Sequence, residues 1–230
     1  TGNRSNLAAV GDSALYNNGV GAVNPYEATA NSAFGSKALY ANTTGYYNTA
    51  TGSNALKNNT TGIQNTANGT GALFTNTTGG ANTATGLNAL FQNSTGNNNT
   101  AVGNFTLPNN SSGNNNTGTG TGALSTNTTG NNNTAAGTGS LFSNTTGYSN
   151  VAIGTEALYK NTVRTNLVAV GDSALYNNGT GASFPFESIN NTAVGSKALY
   201  ANTKGNDNAA TGFNSLYTNT TGYSNTANGS

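Results

Sequence analysis

The side chains that most often perform chemistry are nearly missing from this sequence. It contains no Cys and no His, which excludes thiol nucleophiles, imidazole bases, disulfides and the commonest transition-metal ligands together. Six Asp and Glu are scattered over 230 residues. Asp12 and Asp172 follow a Gly in equivalent places, Glu156 stands alone, and no pair is spaced to set two carboxylates for acid–base work. The Asp-rich pattern of calcium repeats is absent. GTGTGAL from Gly118 has the glycine density of a phosphate loop, but no Lys with Ser or Thr completes the motif. The expectation is a chain that is not an enzyme, with no catalytic residue, no cofactor and no metal.

Two other residue sets could carry chemistry of recognition or modification. One is a pair of Pro-centred stretches, Asn24, Pro25, Tyr26 and Glu27, and Phe184, Pro185, Phe186 and Glu187. They are candidate binding loops, because protruding loops on a rigid scaffold are where binding usually resides; the alternative is a loop that braces neighbouring chains, with Tyr26 or Phe186 as a buried anchor. The other set is the Asn of the Asn-Thr-Thr slot, Asn42, Asn59, Asn76, Asn93, Asn127, Asn144, Asn202 and Asn219. They read as N-glycosylation sites if their amides face outward, and as turn residues otherwise.

Composition narrows the partners. Seven Lys and Arg against six Asp and Glu give no field to attract nucleic acid or anionic lipid. No apolar run approaches the roughly 18 residues that cross a bilayer, so no membrane contact is expected of this segment. TGNRSNLAAV at the N-terminus lacks the apolar core of a signal peptide, and any export signal or anchor is expected outside the segment.

The elements that position these residues follow from a repeat. Gly recurs with one constant spacing at Gly35, Gly52, Gly69, Gly86, Gly103, Gly120, Gly137, Gly154 and Gly171, and again at Gly195, Gly212 and Gly229. The unit between them is seventeen letters long and reads as in NTATGSNALKNNTTGIQ from Asn48 and NVAIGTEALYKNTVRTN from Asn150. Two steps are seven letters longer, Gly11 to Gly35 and Gly171 to Gly195, and each carries one of the Pro-centred insertions, at about 18–30 and 178–190. The whole pattern then starts again: Gly11 returns as Gly171 and Gly35 as Gly195, with Arg4 and Arg164 filling a slot that is Gly in other coils. Residues 1–230 therefore read as one continuous repeat array.

Seventeen residues are too few for a helical hairpin, and Gly, Asn and Thr oppose helix by roughly 0.5 to 1 kcal/mol each. The expectation is all-β, a β-solenoid of about thirteen 17-residue coils with two or three short strands per coil and turns at the Gly and Asn slots. At about 4.8 Å per coil the array would span roughly 60 Å.

The core ladder is Leu39, Leu56, Leu73, Leu90, Leu124, Leu141, Leu158, Leu199 and Leu216, with Leu15, Leu107 and Leu175 in the same slot. One Leu per coil contributes about 1.5 to 3 kcal/mol against about 1 to 2 kcal/mol per ordered residue, so three chains in register are expected to thicken the core. The aromatic slot (Tyr16, Tyr40, Phe74, Phe91, Phe142, Tyr159, Tyr176, Tyr200, Tyr217) is expected to stack at the core edge. The regular Asn are expected to form amide ladders.

SNVAIG at Ser149, NTAVG at Asn99 and Asn191, and NLAAVG at Asn6 resemble the head repeats of YadA-like trimeric autotransporter adhesins. The full unit also looks like repeats of large bacterial surface proteins and phage tail fibres. The resemblance spans the chain and implies a left-handed parallel β-roll, a homotrimer or filament, an extracellular or cell-surface location, and adhesion to a host, surface or glycan receptor. The family's repeat is generally shorter and richer in Val and Ile at the inward slots. The leading expectation is a structural or adhesive fibre stalk or head. The alternatives are a phage or virus tail-fibre shaft on the virion, and ice binding by the Thr column Thr43, Thr60, Thr77, Thr128, Thr145 and Thr220.

Overall fold

A computed structural model describes residues 5–229; Arg4 lies outside the described residues. The chain divides into two compact units between Asn115 and Asn116. The first holds β1 (Ala8–Val10), β2 (Ser32–Phe34), β3 (Thr49–Thr51), β4 (Thr66–Asn68), β5 (Thr83–Thr85) and β6 (Thr100–Val102). The second holds β7 (Thr117–Thr119), β8 (Thr134–Ala136), β9 (Val151–Ile153), β10 (Val168–Val170), β11 (Thr192–Val194), β12 (Ala209–Thr211) and β13 (Thr226–Asn228). Within each unit consecutive strands pair in parallel without register slip, as in Ala50↔Ala67 and Ala135↔Ala152. Each unit is thus a parallel β-solenoid whose coil length is the offset between such partners, the seventeen of the sequence repeat. The described residues contain no helix.

Each coil has one three-residue strand rather than two or three. The reason lies in the segment after the strand, where φ is positive at every second residue. In one coil the values are 128° at Gly52, 59° at Asn54 and 50° at Leu56. The alternation curls the backbone too tightly for a second strand, yet it keeps the hydrogen bonding between coils. Gly52 N donates back to Phe34 O at 2.7 Å, and Leu56 N donates forward to Ala72 O at 3.0 Å.

The Gly column is a contact point as well as a turn. A Cβ on Gly52 would stand 2.6 Å from both C and O of Gly69, and one on Gly154 would stand 2.5 Å from Gly171 O. Backbone lies against backbone here, and φ is in a range that only Gly enters readily. By contrast the Leu slot takes positive φ, 49° to 54°, at all twelve positions. Such a conformation costs a bulky residue about 1 to 2 kcal/mol. Burial of the side chain and the forward N–H bond hold it there.

The interior of a coil is one Leu, two Ala and two Asn. Leu39, Leu56, Leu73, Leu90, Leu124, Leu141, Leu158 and Leu199 are fully buried, as are the middle-strand Ala50 and Ala152 and the pre-Leu Ala55 and Ala157; Leu216 is only half-buried. The core that looks one Leu wide in sequence is thickened from inside the same chain by amide side chains. A thin core therefore gives no reason of its own for association.

Gly52→Ala should lower unfolding stability by about 3 kcal/mol, from strained φ plus overpacking. Gly21→Ala, whose Cβ would have nothing within 4 Å, should cost about 1 kcal/mol. Urea titration of both variants reads the difference, and equal losses would contradict the contact.

Candidate functional site

The Asn that read as glycan acceptors form one of two buried amide columns. Asn59 Nδ2 donates to Asn42 Oδ1 at 2.8 Å and to Gly62 O at 3.0 Å. Asn76 repeats the pattern on Asn59 and Gly79, at 2.7 and 2.9 Å, and in the second unit Asn144 donates to Asn127 at 2.8 Å. The second column, which begins each coil, accepts backbone N–H groups: Asn48 Oδ1 from Asn65 N at 3.0 Å and Asn191 Oδ1 from Asn208 N at 3.0 Å.

Asn42, Asn59, Asn76, Asn93, Asn127, Asn144 and Asn202 are fully buried, and half-buried Asn219 bonds Gly222 O at 3.1 Å. The glycosylation reading is corrected for the seven buried residues on this geometry, and Asn202, followed by Thr203 and Lys204, also lacks the hydroxyl residue two places on. The nitrogen that would carry the sugar is inside the coil and already donates.

The Thr column has a similar fate. Thr43 Oγ1 donates to Thr60 O, Thr60 to Thr77 O and Thr145 to Thr162 O, each at 3.0 Å, and Thr128 to Thr145 O at 3.1 Å. These hydroxyl protons are directed to the next coil's carbonyl. The aromatic slot stacks as expected and is half-buried, except that Tyr16 and Tyr217 are exposed. Phe142, Tyr159, Tyr176, Tyr200 and Tyr217 form a run with centroids 5.0 to 5.3 Å apart. Burial, with Glu156 beside it, raises the Tyr176 hydroxyl above its ordinary pKa.

What remains is the pair of insertions, and each leaves its coil at the same place. Asn18 Nδ2 donates to Ala28 O at 2.8 Å, as Asn42 donates to Gly45 O at 2.8 Å. The extra residues therefore bulge out between the Asn slot and the Gly slot. In the first unit the Glu27 carboxylate accepts from Val23 N at 2.7 Å and Asn24 N at 3.1 Å, and Asn24 Nδ2 adds a bond at 3.0 Å. In the second, Glu187 accepts from Ser183 N at 2.5 Å and Phe184 N at 2.9 Å. The Glu of each candidate set is thus a cap that shapes its loop. Pro25, Tyr26, Pro185 and Phe186 stand exposed, so the buried-anchor alternative does not hold within the chain. Phe184 and Phe186 stack at 5.4 Å with planes 5° apart.

Arg164 completes the second loop, a role that its place in the Gly slot signalled only as an exception. It is buried, with Nη1 donating to Phe184 O at 2.8 Å and Nη2 to Ala182 O at 3.0 Å. Its stem packs on Gly179, where a Cβ would meet Arg164 Cγ at 3.1 Å. Asn178 Nδ2 turns to Ser188 O at 2.9 Å, and Arg164 Nε and Asn161 Oδ1 are left as a buried donor and acceptor without partners.

Between this loop and the coil surface lies a cleft of about 440 Å³ lined by Tyr148, Val163, Arg164, Thr165, Ser183, Phe184, Pro185 and Ile189. Tyr148 and Val163 carried no signal in sequence, since each fills an ordinary variable slot. Among the described residues no group of three His, Cys, Asp or Glu could hold a metal ion, and no helix is long and apolar enough to cross a membrane.

The amide column predicts that Asn76→Ala leaves Asn59 Oδ1 unpaired and removes the acceptor of Asn93 Nδ2, while Gly79 O keeps its bond from Asn65 Nδ2, at a cost of about 1 to 3 kcal/mol. Exposed Gln92→Ala should stay within about 0.5 kcal/mol; chemical denaturation of the two variants makes the comparison.

The Glu187 cap predicts a pH dependence. Hydrogen bonds from Phe184 and Ser183 backbone, with Lys204 and Arg164 nearby, hold its pKa below the ordinary 4.5 despite some desolvation. A depressed folded-state pKa means that the cap's contribution is present above the unfolded value and is lost as pH falls through the lowered one. Amide exchange at Ser183 and Phe184 should therefore stay slow at neutral pH and accelerate only on acidification below the ordinary Glu range, with Glu187→Gln fast throughout. Comparison of the chain with protein-family models, with curated proteins and with solved structures finds no match.

Proposed function

We propose that the chain is a non-catalytic segment of an extracellular structural or adhesive fibre, a continuous array of β-solenoid coils displayed at a cell surface. The observation that supports it most is the sameness of the joint between coils. Within each unit the Gly contact, the Asn columns and the strand register recur without slip, so identical coils can be added with no new chemistry. A scaffold of this kind gives reach, stiffness and repeated display of the same loop.

The resemblance of SNVAIG and NTAVG to adhesin head repeats supports the finer reading of a left-handed roll assembled as a homotrimer or filament, with a host, surface or glycan receptor. Exposed apolar residues on the outer strand face, Val10 and Phe34 in one unit and Ile153 and Val194 in the other, favour contact between copies. The second reading, a phage or virus tail-fibre shaft on a virion, draws on the same joint and on the likeness of the full unit to tail-fibre repeats.

The test is the mass of the segment by light scattering on a sizing column, with circular dichroism on the same fraction. A β-rich particle near three times 22.9 kDa is the expected result. A folded particle of 22.9 kDa overturns the trimer.

A further inference from the structure

We infer that the cleft under the second insertion is a saccharide site that takes one or two neutral sugar rings. The inference deepens the adhesive reading and rests on it for the setting.

The cleft is built and not incidental. Arg164 ties the loop down through two carbonyls, Glu187 ties it through two amides, and Asn178 holds its return at Ser188. A loop restrained at so many points does not collapse onto its own aromatics. Phe184 remains 56% exposed although one face is stacked on Phe186, and Tyr148 across the cleft remains 50% exposed. Exposed rings held rigid carry no folding benefit, and such surfaces mark interaction sites.

The chemistry of the walls selects the ligand. The aromatic faces carry negative quadrupole charge, which suits the polarised C–H face of a pyranose. Hydroxyls of Thr165, Ser183 and Tyr148 line or border the same space and can donate to and accept from sugar hydroxyls. No Asp, Glu or Lys lines it, and the one charged lining residue, Arg164, is buried, with both Nη groups on loop carbonyls and Nε shielded from solvent, so the wall open to a ligand is neutral. A long acyl chain would need a deeper and drier channel than this half-open cleft. About 440 Å³ lies at the small end of ligand sites and matches one or two rings. Because the insertion belongs to the larger repeat that carries Gly11 to Gly171, every such repeat with Phe184-type residues would present a site at regular intervals, which turns weak single contacts into avidity.

The test uses the full chain, fluorescently labelled at its N-terminus, on an array of neutral hexose and N-acetylhexosamine oligosaccharides with acidic glycans alongside. Retention of neutral oligosaccharides is expected. Phe184→Ala and Tyr148→Ala should each weaken it about tenfold, roughly one lost stacking contact. Phe213→Ala, an equally exposed ring away from the cleft, should leave it unchanged, and all three should keep the circular dichroism of the parent. No retained glycan, retention of acidic glycans alone, or retention indifferent to Phe184 and Tyr148 overturns the site. Mass in solution separates this outcome from the fibre reading. A trimer that binds no glycan overturns the site alone, and a monomer that binds through Phe184 overturns the trimer alone.

Discussion

The approach of Gly backbone to Gly backbone between successive coils is the constraint on which the rest depends. With no Cβ at Gly52 the next coil comes near enough for strand pairing, for the forward bond from Leu56 N, and for the reach of Asn59 to Asn42. A residue with a side chain there would separate all three ladders together. The repeat period is therefore a fixed distance imposed on every coil, and the two longer coils obey it by expelling their additional residues.

Polar satisfaction carries more of the interior than apolar burial does. A chain with 35 Leu, Ile, Val and Phe among 230 residues has too little hydrocarbon for an ordinary core. The Asn amides occupy the remaining volume, and in the regular coils, as at Asn76, each is paired by its neighbours in the column and by a Gly carbonyl. Buried polar networks stabilise only when every member is satisfied. That requirement explains why Asn recurs at these slots, and where Arg164 and Leu167 stand in place of Gly and Asn, Arg164 Nε and Asn161 Oδ1 lack partners.

The coil length, the solenoid class, the Leu column and the amide ladders were legible in sequence because they depend on spacing, and spacing survives in one dimension. The conformation within a coil was not. Leu is a residue that local propensity keeps away from positive φ, so twelve Leu in that region could be seen only with the neighbouring coil present. The burial of Asn42 and Asn59 was undecided in sequence because an Asn-Thr-Thr turn has the same letters whichever way its amide faces. Of the site, the loop residues Phe184 to Glu187 were visible as an insertion. The cleft was not, because Tyr148 comes from a coil well before the insertion in the chain and Arg164 looked like a substitution.

The amide columns also have a direction. In each unit Asn Nδ2 points toward the preceding coil and Oδ1 toward the following one, from Asn59 on Asn42 through Asn93 on Asn76, and again from Asn144 on Asn127. The dipoles of these amides therefore add along each column. The amide column is electrically polar along the stacking direction, positive toward the N-terminal side. A coil offered upside down would set carbonyl against carbonyl, so assembly by stacking is confined to head-to-tail order.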